Sequence, residues 1–289
     1  MNVYLGNYRA GKQLHLVAIV DTVAVDVTTL GAPPAMRALL ERGQAYLDDV
    51  LAGAVDAAAR GDVVGTVDTL RFGPPVPDPQ KIVCLGLNYR DHAAEAKLPL
   101  PASPILFAKY ANSLIGALDD IVVPVPARAA LDYEVELAVV IGERASRVTA
   151  EDALRHVAGY TVFNDVTARD LQFATSQWGA GKAIDTFGPI GPHLVPRSAI
   201  PDPQSLMLTT RLNGVQVQHA SSGGMIFTVA ETIAYVTSFM TLEPGDIIAT
   251  GTPAGVGFTR SPQILLHDGD VVEVEIERIG MLRNRIVWE

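Results

Sequence analysis

The 289-residue sequence predicts an α+β fold, mainly β, in which a small α/β N-terminal domain precedes a larger strand-rich one. Three observations predict it. Short apolar alternation near the start is followed by one Ala/Leu-rich helical stretch, a Pro/Gly-rich segment occupies 73–80, and repeated period-two runs separated by turn residues fill most of the remainder. With 48% hydrophobic and 19% charged residues, the chain can bury a large core.

Taken in order, residues 3–28 alternate in the manner of short antiparallel strands, and 35–60 carry apolar residues at helical spacing. The run GPPVPDPQ at 73–80 suits neither helix nor central strand, which divides the chain into 1–72 and 73–289. In the second part, 208–212 and 215–219 read as strands joined by Asn213-Gly214, a dipeptide favoured in two-residue hairpin turns. Further strands are expected at 246–250 and 271–279. Helices are expected at 150–156, in a segment after Asp165, and from Thr228, where Thr228 and Glu231 match a capping box ahead of Ile233, Val236 and Met240.

Charge and composition narrow the function. A formal net charge of −10 leaves no general basic field, so neither nucleic acid nor an anionic membrane is an expected partner. A small anionic substrate would have to be attracted locally, and a bound metal ion is a common means. The start, MNVYLGNYRAGKQLHLVAIVD, lacks the basic-then-apolar arrangement of a signal peptide, and no apolar run approaches the ~20 residues of a membrane helix. The single cysteine, Cys84, excludes an intramolecular disulfide framework, and a cytoplasmic location is the expectation. Lying in Ile82-Val83-Cys84-Leu85, it reads as a buried strand residue and not as a nucleophile.

The chemistry starts at 131–137, LDYEVEL. If this stretch is a strand, Glu134 and Glu136 project from one face and two carboxylates lie within reach of one cation. The sequence contains its own control, because Glu273, Glu275 and Glu277 alternate in the same way and read as a solvated acidic face. A third acid is needed to separate the two cases. Asp165 offers one at the mouth of a strand ending near Phe163, with Arg169 and Gln172 following at i+4 and i+7. Taken alone, these residues are better explained as a helix-cap Asp with exposed polar neighbours.

These motifs do not stand alone. Gly86-Leu87-Asn88-Tyr89-Arg90-Asp91-His92 with Glu95, Tyr133–Leu137, Asn164-Asp165 with Arg169-Asp170, Gly181-Lys182 with 185–189, and Leu242–Asp246 through Gly251–Gly257 occur in the order of the fumarylacetoacetate hydrolase family, which the chain resembles over most of 80–289. The resemblance implies a mixed β-sandwich-roll catalytic domain, a homodimer, and Mg²⁺, or Mn²⁺ or Ca²⁺, held by Glu134, Glu136 and Asp165. An all-oxygen set suits such a hard cation and argues against a structural zinc site. The resemblance also implies a catalytic dyad of His92 and Glu95, which share a face if 91–96 is helical, and a pocket lysine, Lys182. Arg169, Gln172 and Thr252 are implied as substrate-binding residues. The loop around Thr252 offers N–H groups and a hydroxyl to a carboxylate, but it lacks a Walker lysine and a GxGxxG, so nucleotide binding is not expected. The Pro-rich 97–104 segment could act as a lid.

The implied substrate is a small anionic 2-oxo or 1,3-diketo acid. Three reactions share such a site and differ in what leaves the stabilised enolate: C–C hydrolysis of an acylpyruvate or fumarylacetoacetate-like acid, decarboxylation of oxaloacetate, and isomerisation or hydration of a 2-hydroxyhepta-2,4-diene-1,7-dioate. His92 and Glu95 favour water activation, so hydrolysis is the expectation. A non-catalytic metal-binding protein would need no such pair.

Overall fold

The computed structural model describes residues 2–289, and its architecture is mixed α+β with strands dominant. One long sheet runs, from edge to edge, through Gly65–Thr66, Val23–Asp26, Gln13–Val20, Val3–Ala10, Gly188–Pro196, Val157–Asn164, Val135–Ile141, Ile247–Ala249, Ile82–Gly86 and Ile105–Lys109, with two further short strands attached off this path. A second sheet of five strands follows the order Val215–Ser221, Met207–Leu212, Val271–Ile276, Gly280–Trp288, Ile121–Val123.

The central strand Val135–Ile141 shows how the layers are made. Its residues are all buried, because each face meets a different partner. Val135, Leu137, Val139 and Ile141 join one apolar cluster with Leu208, Val272, Val274 and Leu282 of the five-stranded sheet. Ala138 and Val140 join another with Leu47, Val50, Ala54 and Ala57 of the helix Gln44–Arg60. A strand covered on both sides reads as a continuous apolar run, and 135–141 does so except at Glu136. Cys84 is fully buried in Ile82–Gly86, as its apolar neighbours predict.

Local rules explain most boundaries. The hairpin at Asn213-Gly214 has positive φ at both positions, 51° and 81°, as a type I′ turn requires. Thr228 and Glu231 form the reciprocal capping box at the start of Val229–Thr237. The helical stretch expected over 35–60 is broken in two, Met36–Leu40 and Gln44–Arg60, at Gly43, whose φ of 84° no helix accommodates. The acidic strand Val271–Ile276 alternates half-exposed glutamates with buried apolar residues, and Glu273 and Glu275 pair with Arg283 and Arg211. It is the solvated face that its sequence suggests.

The segment before residue 73 contributes directly to the long sheet, through strands from Val3 onward. Leu5 is registered against Leu194, Tyr8 against Phe72, and the Asn7 side chain donates to the carbonyls of Pro74 and Pro75 at 3.0 and 2.8 Å. Leu5, Leu16 and Met36 share an apolar cluster with Val140, Phe163 and Ile247. None of the described helices is long and apolar enough to cross a membrane.

Candidate active site

Three acids meet where two neighbouring strands end. Val135 pairs with Asn164, so the residue before the first strand, Glu134, lies beside the residue after the second, Asp165. The Asp165 N–H donates to the Glu134 carbonyl at 2.9 Å, and the Glu134 N–H donates to Asn164 Oδ1 at 3.0 Å. Glu136 comes from inside its strand, and oxygens of the three carboxylates lie within 4.8 Å of one another. The stretch expected as one strand over 131–137 is in fact interrupted. Leu131–Asp132 pairs with Thr167–Ala168, the ladder stops, and Val135 starts another strand, which leaves Glu134 in the break. The acids converge by pairing of strand ends and not by simple alternation.

Buried cations surround them. Lys109 Nζ lies 2.7 Å from Asp165 Oδ1 and also donates to the Lys182 carbonyl. Lys182 Nζ reaches Glu134 Oε2 and Asp165 Oδ2, both at 2.8 Å. Arg169 clamps Asp132 Oδ2 through Nε and Nη2 at 2.9 and 2.8 Å, and its Nη1 lies 2.7 Å from Glu134 and 3.1 Å from Gln172 Oε1. Burial by itself would raise the Glu134 pKa, but Lys182 and Arg169 hold it down at about 2. For Lys182, burial opposes the charge while Asp165 and Glu134 raise the pKa, so the amine stays protonated.

Glu136 is the exception. Burial, then Asp165 and Glu134, push its carboxyl well above the usual range. Its Oε2 accepts the Gly251 N–H at 2.9 Å, but its Oε1 is buried with no hydrogen-bond partner. Four buried carboxylates, Asp132, Glu134, Glu136 and Asp165, therefore face three buried cations, Lys109, Arg169 and Lys182. An unpartnered buried oxygen beside an unbalanced negative charge is what a cation site presents. The all-carboxylate donor set of Glu134, Glu136 and Asp165 fits a hard divalent ion, since each oxygen retains lone-pair capacity beyond its ammonium contact.

The remaining candidates border the same space. A cavity of about 290 Å³ is lined by His92, Glu134, Arg169, Gln172, Lys182 and Thr252, together with an apolar wall. His92 and Glu95 lie on the short helix Arg90–Glu95, with Nδ1 and Oε2 3.2 Å apart. Glu95 stands behind His92, and its other oxygen accepts the Gly255 N–H at 3.0 Å. Burial raises the Glu95 pKa, yet the bonds from His92, Gly255 and Thr259 lower it overall, so it is a carboxylate at neutral pH.

The glycine-rich loop is used differently from the expectation. Its N–H groups at Gly251, Gly255 and Gly257 are taken by Glu136, Glu95 and Asp132, so they position the protein's own acids and are not left for a substrate carboxylate. Thr252 Oγ1 accepts from Gln218 Nε2 at 2.9 Å, which leaves its proton available to the cavity. Lys109, Asp132 and Gln218 were not singled out from sequence. Asp132 adjoins the Glu134 motif and could have been, but nothing in the strand Ile105–Lys109 marks its last residue as a buried counter-ion.

The profile described as "Fumarylacetoacetate (FAA) hydrolase C-terminal" matches residues 81–287, the segment that carries every one of these groups. The chain belongs to the fumarylacetoacetate hydrolase family. Relatives and structures agree with that membership. The bovine (Bos taurus) protein named oxaloacetate tautomerase FAHD2A, mitochondrial, is 43% identical over 274 residues, which cover 93% of this chain and 84% of that protein. A fumarylacetoacetate hydrolase from Exiguobacterium antarcticum superposes with a TM-score of 0.86 at 34% identity, covering 99% of this chain and 100% of the other. A maleylpyruvate hydrolase from Sphingobium superposes with a TM-score of 0.80 at 30% identity, over 99% and 100% of the two chains. The names of these three proteins are those of enzymes acting on small keto acids, and the two superposed structures share the mixed β-rich architecture.

Proposed function

We propose that the chain is a divalent-metal-dependent hydrolase that cleaves a C–C bond in a small 2-oxo, 1,3-diketo acid. The observation that carries this reading is the His92–Glu95 pair on the same cavity as Glu134, with a buried acid cluster behind it that is one positive charge short. Mg²⁺, Mn²⁺ or Ca²⁺ on Glu134, Glu136 and Asp165 would supply a Lewis acid for the 2-oxo oxygen and its enolate.

The protein's own groups then have separable tasks. With Nδ1 held by Glu95, Nε2 is the basic nitrogen of His92 and takes a proton from water. The hydroxide adds to the carbonyl carbon remote from the carboxylate, and the C–C bond breaks with its electron pair passing to the 2-oxo half as an enolate. Protonation at carbon by the imidazolium completes the balance, giving pyruvate or its homologue and a carboxylic acid. Arg169 and Lys182 present fixed positive charge at the polar floor, and Thr252 offers a hydroxyl.

A second reading is favoured by the bovine relative's name: the same His92 could move one proton between carbon and oxygen of oxaloacetate, with no bond cleavage. One experiment separates them. The purified protein with Mg²⁺, and with EDTA, is given acetylpyruvate and the enol of oxaloacetate, while loss of enol absorbance and products are followed. Acetate and pyruvate formed only with metal support hydrolysis; enol loss from oxaloacetate with no cleavage of acetylpyruvate replaces it with tautomerisation.

A further inference from the structure

The polar floor accounts for only part of the cavity. Leu98, Ile105, Phe107, Phe173, Trp178 and Phe258 form much of the remaining wall. Two aromatic pairs define that wall, Phe107 with Trp178 at 5.4 Å between ring centroids and Phe173 with Phe258 at 5.5 Å. Trp178 packs against the end of the strand Ile82–Gly86. It lies across Gly86, where a Cβ would come within 2.3 and 2.6 Å of two indole carbons, so the strand ends in the one residue that lets the ring lie there. Leu98 and Phe173 remain more than half exposed at the rim, apolar surface that a ligand could remove from water.

Charge points the same way. The basic side chains lining the cavity, among the described residues, are His92, Arg169 and Lys182, and all three are at the floor's acids: Arg169 on Asp132 and Glu134, Lys182 on Glu134 and Asp165, His92 on Glu95. The cation nearest the aromatic wall is Lys182, whose Nζ lies 5.1 Å from the Phe107 ring centroid and is already held by Glu134 and Asp165. A second carboxylate reaching it would lose its water and meet no cation that is not already bound to an acid, which is unfavourable. The buried cluster of four carboxylates and three cations would carry at most one net positive charge with a divalent ion bound, enough for one substrate carboxylate and not for two.

We propose that the site selects a monocarboxylic 2-oxo acid whose acyl tail is a hydrocarbon chain or aryl ring held between the two aromatic pairs, in preference to a dicarboxylate. Trp178, Phe107, Phe173 and Phe258 are its specificity-determining residues, and Gly86 positions Trp178. The proposal rests on the keto-acid reading above for the orientation of the substrate, with its carboxylate at the floor and its tail on the wall.

The test has a turnover arm and a binding arm, both on the full chain with saturating Mg²⁺. In the first, kcat/KM is measured for acetyl-, butanoyl-, hexanoyl- and benzoylpyruvate against oxaloacetate and fumarylpyruvate. The expected result is a rise of roughly fourfold per added methylene until the wall is filled, the fold-change of one buried CH₂, with both dicarboxylates below butanoylpyruvate. Trp178→Ala should flatten that rise, and so should Phe173→Ser, an exposed rim position whose change leaves the core untouched. In the second arm, calorimetry compares 2-oxooctanoate with 2-oxoglutarate, neither of which has a diketone to cleave. The expected preference is at least tenfold for 2-oxooctanoate, reduced in both variants. If no acylpyruvate is cleaved but 2-oxooctanoate still binds preferentially, the hydrolase reading fails and the tail specificity stands. Tighter binding of 2-oxoglutarate, or a wild-type series that is flat or led by a dicarboxylate, overturns the tail specificity whatever the reaction.

Discussion

Replacing Glu136 by glutamine should stabilise the metal-free protein while abolishing its response to metal. The wild-type cluster holds four buried carboxylates and three cations, and Glu136 is the member with an unpartnered oxygen. Glutamine keeps the shape, its carbonyl can still accept the Gly251 N–H, and its amide hydrogens point into a region crowded by the Asp165 and Glu134 carboxylates. Four acids against three bases becomes three against three. Relieving one uncompensated buried carboxylate, part of whose cost the wild type already avoids by taking up a proton, is worth about 1–3 kcal/mol. For a chain of this size that corresponds to a rise in Tm of roughly 2–10 °C in EDTA. Wild-type protein at a metal concentration 100 times its Kd should gain about 2.7 kcal/mol, and the variant almost none. Thermal melts of both proteins in EDTA and across a Mg²⁺ or Mn²⁺ titration read both quantities without any substrate. A variant less stable than wild type in EDTA, or one still shifted upward by metal, would refute the charge count and the assignment of Glu136 as a ligand.

Other expectations follow from single contacts. His92→Ala should lower kcat by ~10²–10⁴ while leaving the metal-induced Tm shift intact, and Glu95→Gln should cost less, because the amide still accepts a hydrogen bond but no longer stabilises an imidazolium; steady-state kinetics beside melts check both. Leu5→Ala, in a strand registered against Leu194, should cost about 3 kcal/mol and shift one cooperative urea transition of the whole chain; two transitions, only one of them moved, would mean that residues 1–72 unfold on their own. His193, stacked on Tyr4 with centroids 4.2 Å apart, has its pKa lowered to about 4 by burial. Because the unfolded imidazole binds its proton near pH 6.5, this contribution is complete above that pH and is lost as pH falls toward 4. Wild-type stability should thus drop by up to about 2 kcal/mol between pH 7 and pH 5 relative to His193→Phe, measured by urea unfolding at each pH.

What could be read from the sequence, and what could not, follows from how far each determinant reaches along the chain. The Asn213-Gly214 hairpin and the Thr228–Glu231 cap are complete within a few residues, and both form as written. Gly43 breaks a helix that the apolar period alone carries through, because period records burial and not backbone freedom. The acids Glu134, Glu136 and Asp165 were legible through their motif order, although the strand expected to align the first two is interrupted between Asp132 and Val135. Lys109 was not legible at all. A lysine closing an apolar strand looks like a solvated end, and only the pairing of Ile82–Gly86 with Ile105–Lys109, and the return of the chain 56 residues later, brings it to Asp165. The same holds for the loop at 251–257: its glycines suggest donors for a ligand, yet three of its N–H groups are consumed by Glu136, Glu95 and Asp132. Those bonds link the acid cluster, the His92–Glu95 pair and the Arg169 clamp to one short segment. A change in that loop should therefore disturb metal affinity and water activation together, whereas a change of the Phe173 side chain at the rim of the aromatic wall should reach neither.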